Sequence, residues 1–174
     1  AENVVFTSGA TEALHLALAT FDAYARAQNP SFEPSLIVAE CEHDALFEDG
    51  KRRAMLRAPL LRSGLIDLEA LAALLQEAPK PVLVAVQVAN NETGVIQPVA
   101  KVAALCREHG ALLLVDAAQA FGRVPVSISD LDATYLVVSS HKLGGPPGAG
   151  ALVLAPGAPF VTTRFGGGQE RGRR

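Results

Sequence analysis

Lys142 is the residue whose surroundings point most directly to chemistry. It follows the apolar run Tyr135–Val138 and the polar triplet Ser139-Ser140-His141, and it precedes Leu143-Gly144-Gly145-Pro146-Pro147-Gly148. An amine held by a Gly/Pro loop at the end of a strand can form a Schiff base with a carbonyl compound; a solvated surface lysine is the alternative. Asp116 closes a second apolar run, Leu112–Val115, where a carboxylate needs a partner or water. It either caps the next helix or stabilises a protonated nitrogen on a ligand. Thr7-Ser8-Gly9-Ala10-Thr11 joins a strand to a helix start. There Gly9 permits a tight turn, and the first helical amides, with the Thr11 hydroxyl, suit an anion such as phosphate. An ordinary helix cap fits the same residues. The segment is neither GxGxxG nor GxxxxGK[ST], which removes support for the common nucleotide loops.

An imine-forming lysine, a carboxylate for a ring nitrogen and an anion cradle are together what pyridoxal 5'-phosphate (PLP) requires of a protein. Other polar residues fall at comparable places: His43 in the turn Glu40–Asp44, Asn91 in Asn90-Asn91-Glu92-Thr93-Gly94, and Gln119 after Asp116. Each could equally serve only to satisfy local backbone groups.

Positioning these residues requires a particular architecture. Strand patterns occur at Val4–Phe6, Leu36–Ala39, Val82–Val88, Leu112–Val115, Tyr135–Val138 and Ala151–Leu154. Their apolar runs are too continuous for strands with one solvated face. Helical patterns lie between them. Leu14, Leu18, Phe21 and Ala25 form one stripe, ended by Asn29-Pro30, and Asp67 precedes Leu68, Leu71, Leu74 and Leu75. A third helix spans Val99–Glu108, with Gly110 as C-cap. The alternation predicts an α/β fold in three layers, a mostly parallel sheet with helices on both faces. In such sheets ligands bind beyond the carboxyl ends of the strands, which is where the candidate residues lie.

Composition narrows the function classes. The chain has 174 residues, 49% apolar and 19% charged, with net charge −3. That is a globular composition, opposed to intrinsic disorder and to general binding of nucleic acid or anionic membranes. Arg164, Arg171, Arg173 and Arg174 in the tail read as a solvated basic segment. The chargeless stretch Leu143–Thr163 contains five Gly and four Pro, which argues against a membrane helix. Cys41 and Cys106 form no CxxC pair and no disulfide framework, which favours a reducing, cytoplasmic setting. No metal-ligand spacing is evident.

The motifs Phe6–Glu12, Glu42-His43, Asn90–Gly94, Val115–Gln119 and Ser140–Lys142, with the glycine-rich Gly166–Gly172, occur in an order and spacing that resembles the class V PLP-dependent aminotransferase superfamily. More closely they resemble its cysteine desulfurase (NifS/IscS-like) branch, active in iron–sulfur cluster assembly and nitrogenase maturation. The resemblance implies PLP transferase fold type I, with residues 1–174 covering the large PLP-binding domain and with the N-terminal segment and C-terminal small domain absent. It implies that Lys142 carries the cofactor as an imine, that Asp116 pairs with the pyridine nitrogen, and that Gln119 and Asn91 lie near the ring oxygen. His43 would stack on the ring and shuttle protons. Ala10, Thr11, Ser139 and His141 would hold the phosphate.

The activity implied is conversion of L-cysteine to L-alanine, with sulfur passed as a persulfide to an acceptor protein, by an enzyme that is a homodimer in full-length form. Neither cysteine matches the family's nucleophile: Cys106 falls on a predicted helix and Cys41 precedes the His43 turn. The substrate-carboxylate arginine and a phosphate-binding threonine of the family are also missing, so the 174 residues alone are expected to be inactive. Another class V aminotransferase or lyase, or a non-catalytic scaffold of the same fold, are the competing readings.

Overall fold

The computed structural model describes residues 3–28, 30–31, 33–50 and 55–162. The glycine-rich segment and the four tail arginines lie outside them. Seven strands form one sheet: β1 (Val4–Thr7), β2 (Ser35–Ala39), β3 (Met55–Ala58), β4 (Val82–Gln87), β5 (Leu112–Asp116), β6 (Tyr135–Ser139) and β7 (Gly150–Leu154). Their spatial order is β1-β7-β6-β5-β4-β2-β3. The pairs β3/β2, β2/β4, β4/β5 and β5/β6 are parallel, whereas β7 runs antiparallel to both β6 and β1. The expectation of a mostly parallel sheet holds.

The continuous apolar runs have a simple cause: both faces are covered. Leu36, Val38, Leu83, Ala85, Leu114, Tyr135 and Val137 pack on one side with Leu14, Leu18 and Phe21 of α1 (Ala10–Gln28) and Leu46 of α2 (Asp44–Gly50). The alternate residues Ile37, Val84, Val86, Leu113 and Val115 pack on the other side. Their partners are Leu71 and Leu75 of α3 (Leu68–Glu77) and Val99, Val102 and Cys106 of α4 (Val99–His109). Side chains alternate across a strand, so each run feeds two cores. Burying one such leucine or phenylalanine contributes roughly 1.5–3 kcal/mol.

The capping signals act as expected. The Asp67 carboxylate accepts the amides of Glu69 at 3.0 Å and Ala70 at 3.1 Å, opening α3. Gly110, at φ +64°, ends α4 in the left-handed conformation that glycine adopts freely.

Three elements depart from the sequence reading. The polar turn after β2 ends by starting α2 at Asp44, and the edge strand β3 was not anticipated. Lys142 lies within a short 3-10 helix, Ser140–Leu143, where a loop was expected. That helix and the loop after it leave β6 at Ser139 and return to β7 at Gly150, which are paired in register.

Candidate active site

A cavity of about 420 Å³ opens at the carboxyl ends of β1, β2, β4, β5 and β6, within the size range of ordinary small-ligand sites. Its lining includes every residue singled out from the sequence: Ala10, Thr11, His43, Asn91, Asp116, Gln119, Ser139, His141 and Lys142. These come from five separate strand ends, and the sheet gathers them.

One corner of the cavity is built from the start of α1. The Thr7 hydroxyl donates to Gly9 O at 2.9 Å, and Gly9 O also accepts the Ala13 amide at 3.2 Å. The amides of Ala10 and Thr11 open the helix and contribute to its positive end. Glu12 lines the same cavity, and its carboxylate accepts the Ser8 amide at 2.6 Å. Ser139, buried at the end of β6, has its Oγ 2.9 Å from His141 Nδ1. The corner is packed closely from below. A Cβ on Gly150 would lie 2.7 Å from Gly9 Cα and 2.9 Å from Val138 O.

The opposite wall carries the titratable groups. Asp116 is buried, and its Oδ1 accepts the Ala118 amide at 2.8 Å. Burial pushes its carboxyl up, while that amide, His43 and Lys142 pull it down. His43 accepts the Ala45 amide on Nδ1 at 3.1 Å. An amide nitrogen can only donate, so this contact selects, for the neutral ring, the tautomer with its proton on Nε2.

Asn90 and Asn91 divide their labour. Asn90 Oδ1 accepts from the amides of Glu92 at 3.0 Å and Thr93 at 2.8 Å, which shapes the turn. Its Nδ2 donates to Cys41 O at 3.0 Å, tying that turn to the one bearing His43. Asn91 is thereby left on the cavity wall.

Residues that sequence reasoning did not assign complete the wall. Gln87 lines the cavity and is paired in register with Asp116; its place at the end of the clearest strand was the available signal. Its amide donates to Glu42 Oε1 at 2.6 Å, and its side chain donates to Cys41 O. Glu42 is buried beneath this turn, and its Oε2 has no hydrogen-bond partner among the described residues. Cys41 lies outside the main cavity, on a neighbouring one that shares His43 and Asn91. Cys106 is buried in α4, as its helical position implied. Among the described residues no three His, Cys, Asp or Glu side chains are placed to hold a metal ion, and no helix is long and apolar enough to cross a membrane.

A lysine, a buried acid, an imidazole and a helix start share this rim of a mixed sheet, and the aminotransferase class-V model matches residues 1–170. The chain belongs to the class V aminotransferase family. Within that family it is similar to cysteine desulfurases. It is 39% identical to cysteine desulfurase IscS of Histophilus somni over 178 residues, covering 98% of this chain and 43% of that protein. It is 35% identical to a probable mitochondrial cysteine desulfurase of Dictyostelium discoideum over 180 residues, 99% of this chain and 39% of that one. Among solved structures, a NifS-like protein from Rickettsia africae superposes with a TM-score of 0.88 at 29% identity, over 99% of this chain and 46% of that chain. DndA from Streptomyces lividans gives 0.81 at 35% identity, over 99% and 50%. The chain thus spans about two-fifths of the length of these curated relatives.

Proposed function

We propose that the protein carrying this chain is a PLP-dependent cysteine desulfurase. It would convert L-cysteine to L-alanine and pass the sulfur as a persulfide to an acceptor protein that serves iron–sulfur cluster assembly or related sulfur metabolism. The reading rests chiefly on one observation: Lys142, Asp116, His43 and the α1 amides share a single cavity in a chain whose relatives are named cysteine desulfurases. A homodimer in the cytoplasm is the setting we propose for the full-length protein, with residues 1–174 as its large cofactor-binding domain.

The donor set fits PLP. The amides of Ala10 and Thr11, with the Thr11 hydroxyl, Ser139 and His141, would hold the phosphate. Asp116, already held by the Ala118 amide, would face the ring nitrogen and favour its protonated form. Gln119 and Asn91 would hydrogen-bond the ring oxygen. Bound there, PLP supplies an electron sink for carbanions next to an amino group.

The chain's own groups then have distinct tasks. Lys142 would supply the amine that anchors the cofactor and would move protons at the substrate's α carbon. His43, with Nδ1 fixed by Ala45, presents Nε2 as its proton-carrying atom. The overall reaction balances without an oxidant. Cysteine and an acceptor thiol give alanine and a persulfide, as the C–S bond breaks and an S–S bond forms. Neither Cys106, buried in α4, nor Cys41, off the main cavity, is assigned as that thiol.

The test uses the full-length protein loaded with PLP. L-cysteine should yield alanine and transferable sulfur in equal amounts, and borohydride should attach the cofactor at Lys142. K142A should lose the trapped label and about 10²–10⁴-fold of turnover. Transfer of the amino group to a keto acid instead of alanine release would favour an aminotransferase, and full activity in K142A would overturn the assignment.

A further inference from the structure

Arg123 joins two strand-end segments from outside the cavity. Its Nη1 donates to Gln119 O at 2.7 Å, and its Nη2 donates to Lys142 O at 2.7 Å. Gln119 follows β5 and Lys142 follows β6, and both residues line the cavity. The guanidinium holds their backbones and leaves both side chains free to face inward.

Both carbonyls sit where the local backbone bonding passes them by. After β5, the amides of Ala120 and Phe121 go to Ala117 O, and those of Arg123 and Val124 go to Ala120 O. At the end of the 3-10 helix, Gly144 and Gly145 both donate to Ser140 O. Carbonyls in such positions need an outside donor. The guanidinium is a planar fork with several N–H groups, and it reaches two acceptors at once, which a lysine ammonium on a flexible stem does not reproduce.

A second contact points the same way. A Cβ on Gly122 would come within 3.0 Å of Leu143 Cδ2, so the turn bearing Arg123 lies flush against the helix bearing Lys142.

We propose that Arg123 is a positioning residue. Its fork locks the carbonyl of Gln119 to that of Lys142 and thereby fixes where the Lys142 amine and the Gln119 amide stand relative to each other. The consequence for catalysis rests on the PLP reading above; the clamp itself does not.

The experiment compares wild type, R123A and R123K in the full-length protein. Amide hydrogen exchange is read first, without added cofactor, in peptides covering residues 117–122 and 140–149. In R123A both should exchange about tenfold faster, and R123K should fall between R123A and wild type. With PLP added, R123A should bind it about tenfold more weakly, with kcat about tenfold lower and KM for cysteine within about twofold. Unchanged exchange in R123A, or R123K equal to wild type, would overturn the clamp. Should R123A fail to fold, R123K against wild type decides by the same exchange measurement. Wild-type protein that binds no PLP would refute the cofactor reading, while the exchange data still judge the clamp.

Discussion

Glu42 Oε1 accepts the backbone amide of Gln87 at 2.6 Å, and both residues are buried. Burial, and then the nearby Asp116 carboxyl, push the Glu42 carboxyl well above its ordinary 4.5; the Gln87 amide pulls the other way. The fold therefore favours the protonated acid, which leaves Asp116 better placed to be the anion of the site.

A pH dependence follows. A carboxyl raised in the folded state stabilises fully below its unfolded pKa, and that contribution is lost as pH rises through the folded value. E42Q keeps an acceptor for the Gln87 amide and has nothing to ionise. Its melting temperature relative to wild type should climb as pH is raised from about 4 to 8. Calorimetry across that range checks this, and parallel curves for the two proteins would contradict it.

His43 owes its orientation to the Ala45 amide. Ala45 lies in the first turn of α2, where proline is tolerated. A45P removes the donor and frees the ring to turn or change tautomer. Nitrogen NMR should find Nε2 protonated in the neutral wild-type ring and a mixture in A45P. Full-length H43A should lose about 10²–10⁴-fold in kcat, with a smaller loss in A45P. A wild-type ring protonated on Nδ1 would refute the assignment.

Gly150 supports the α1 corner of the cavity by having no side chain. A methyl group there meets backbone atoms of Gly9 and Val138, which cannot swing aside as a side-chain tip can. G150A should cost about 1–3 kcal/mol in denaturant unfolding and weaken binding of PLP by displacing the turn at Gly9. Wild-type stability and affinity in G150A would show that the strands part without cost.

The two thiols should react differently. Burial is the main cause raising the Cys106 thiol from 9.0 to about 12, so its thiolate is roughly a thousandfold scarcer at neutral pH than in a free thiol. Cys41 is only half-buried. Iodoacetamide should label Cys41 in the native protein and reach Cys106 only after unfolding. Mass spectrometry of the two peptides tests this, and prompt native labelling of Cys106 would contradict the packing.

Much of this was legible in the sequence because two-sided burial leaves a plain mark. Runs such as Val82–Val86 and Leu112–Val115 have no polar residue, and the first polar side chain after each run marks a strand end. Asp116 is such a residue, and His43 and Lys142 lie three residues beyond the marks set by Glu40 and Ser139. β3 was missed because Met55–Ala58 is a short edge strand containing Arg57, whose guanidinium lies 4.8 Å from the Phe47 ring centroid. α2 was hidden because Asp44 reads equally as the close of a turn or the start of a helix. The reversed direction of β7 leaves no periodic trace, since alternation along a strand is the same in both directions. The contacts of Glu42 with Gln87 and of Arg123 with Lys142 were out of reach for another reason. Each joins a side chain to the backbone of a distant residue, and a backbone amide or carbonyl has no letter in the sequence.

The register pair Ser139 and Gly150 gives the lysine-bearing segment a particular mechanical character. Residues 140–149 leave and re-enter the sheet at a single rung, so the ends of this ring are already brought together by the ladder. A guest molecule arriving at Lys142 need not meet the entropy of closing that ring. It has only to still a few torsions inside a frame whose two feet are paired in the sheet.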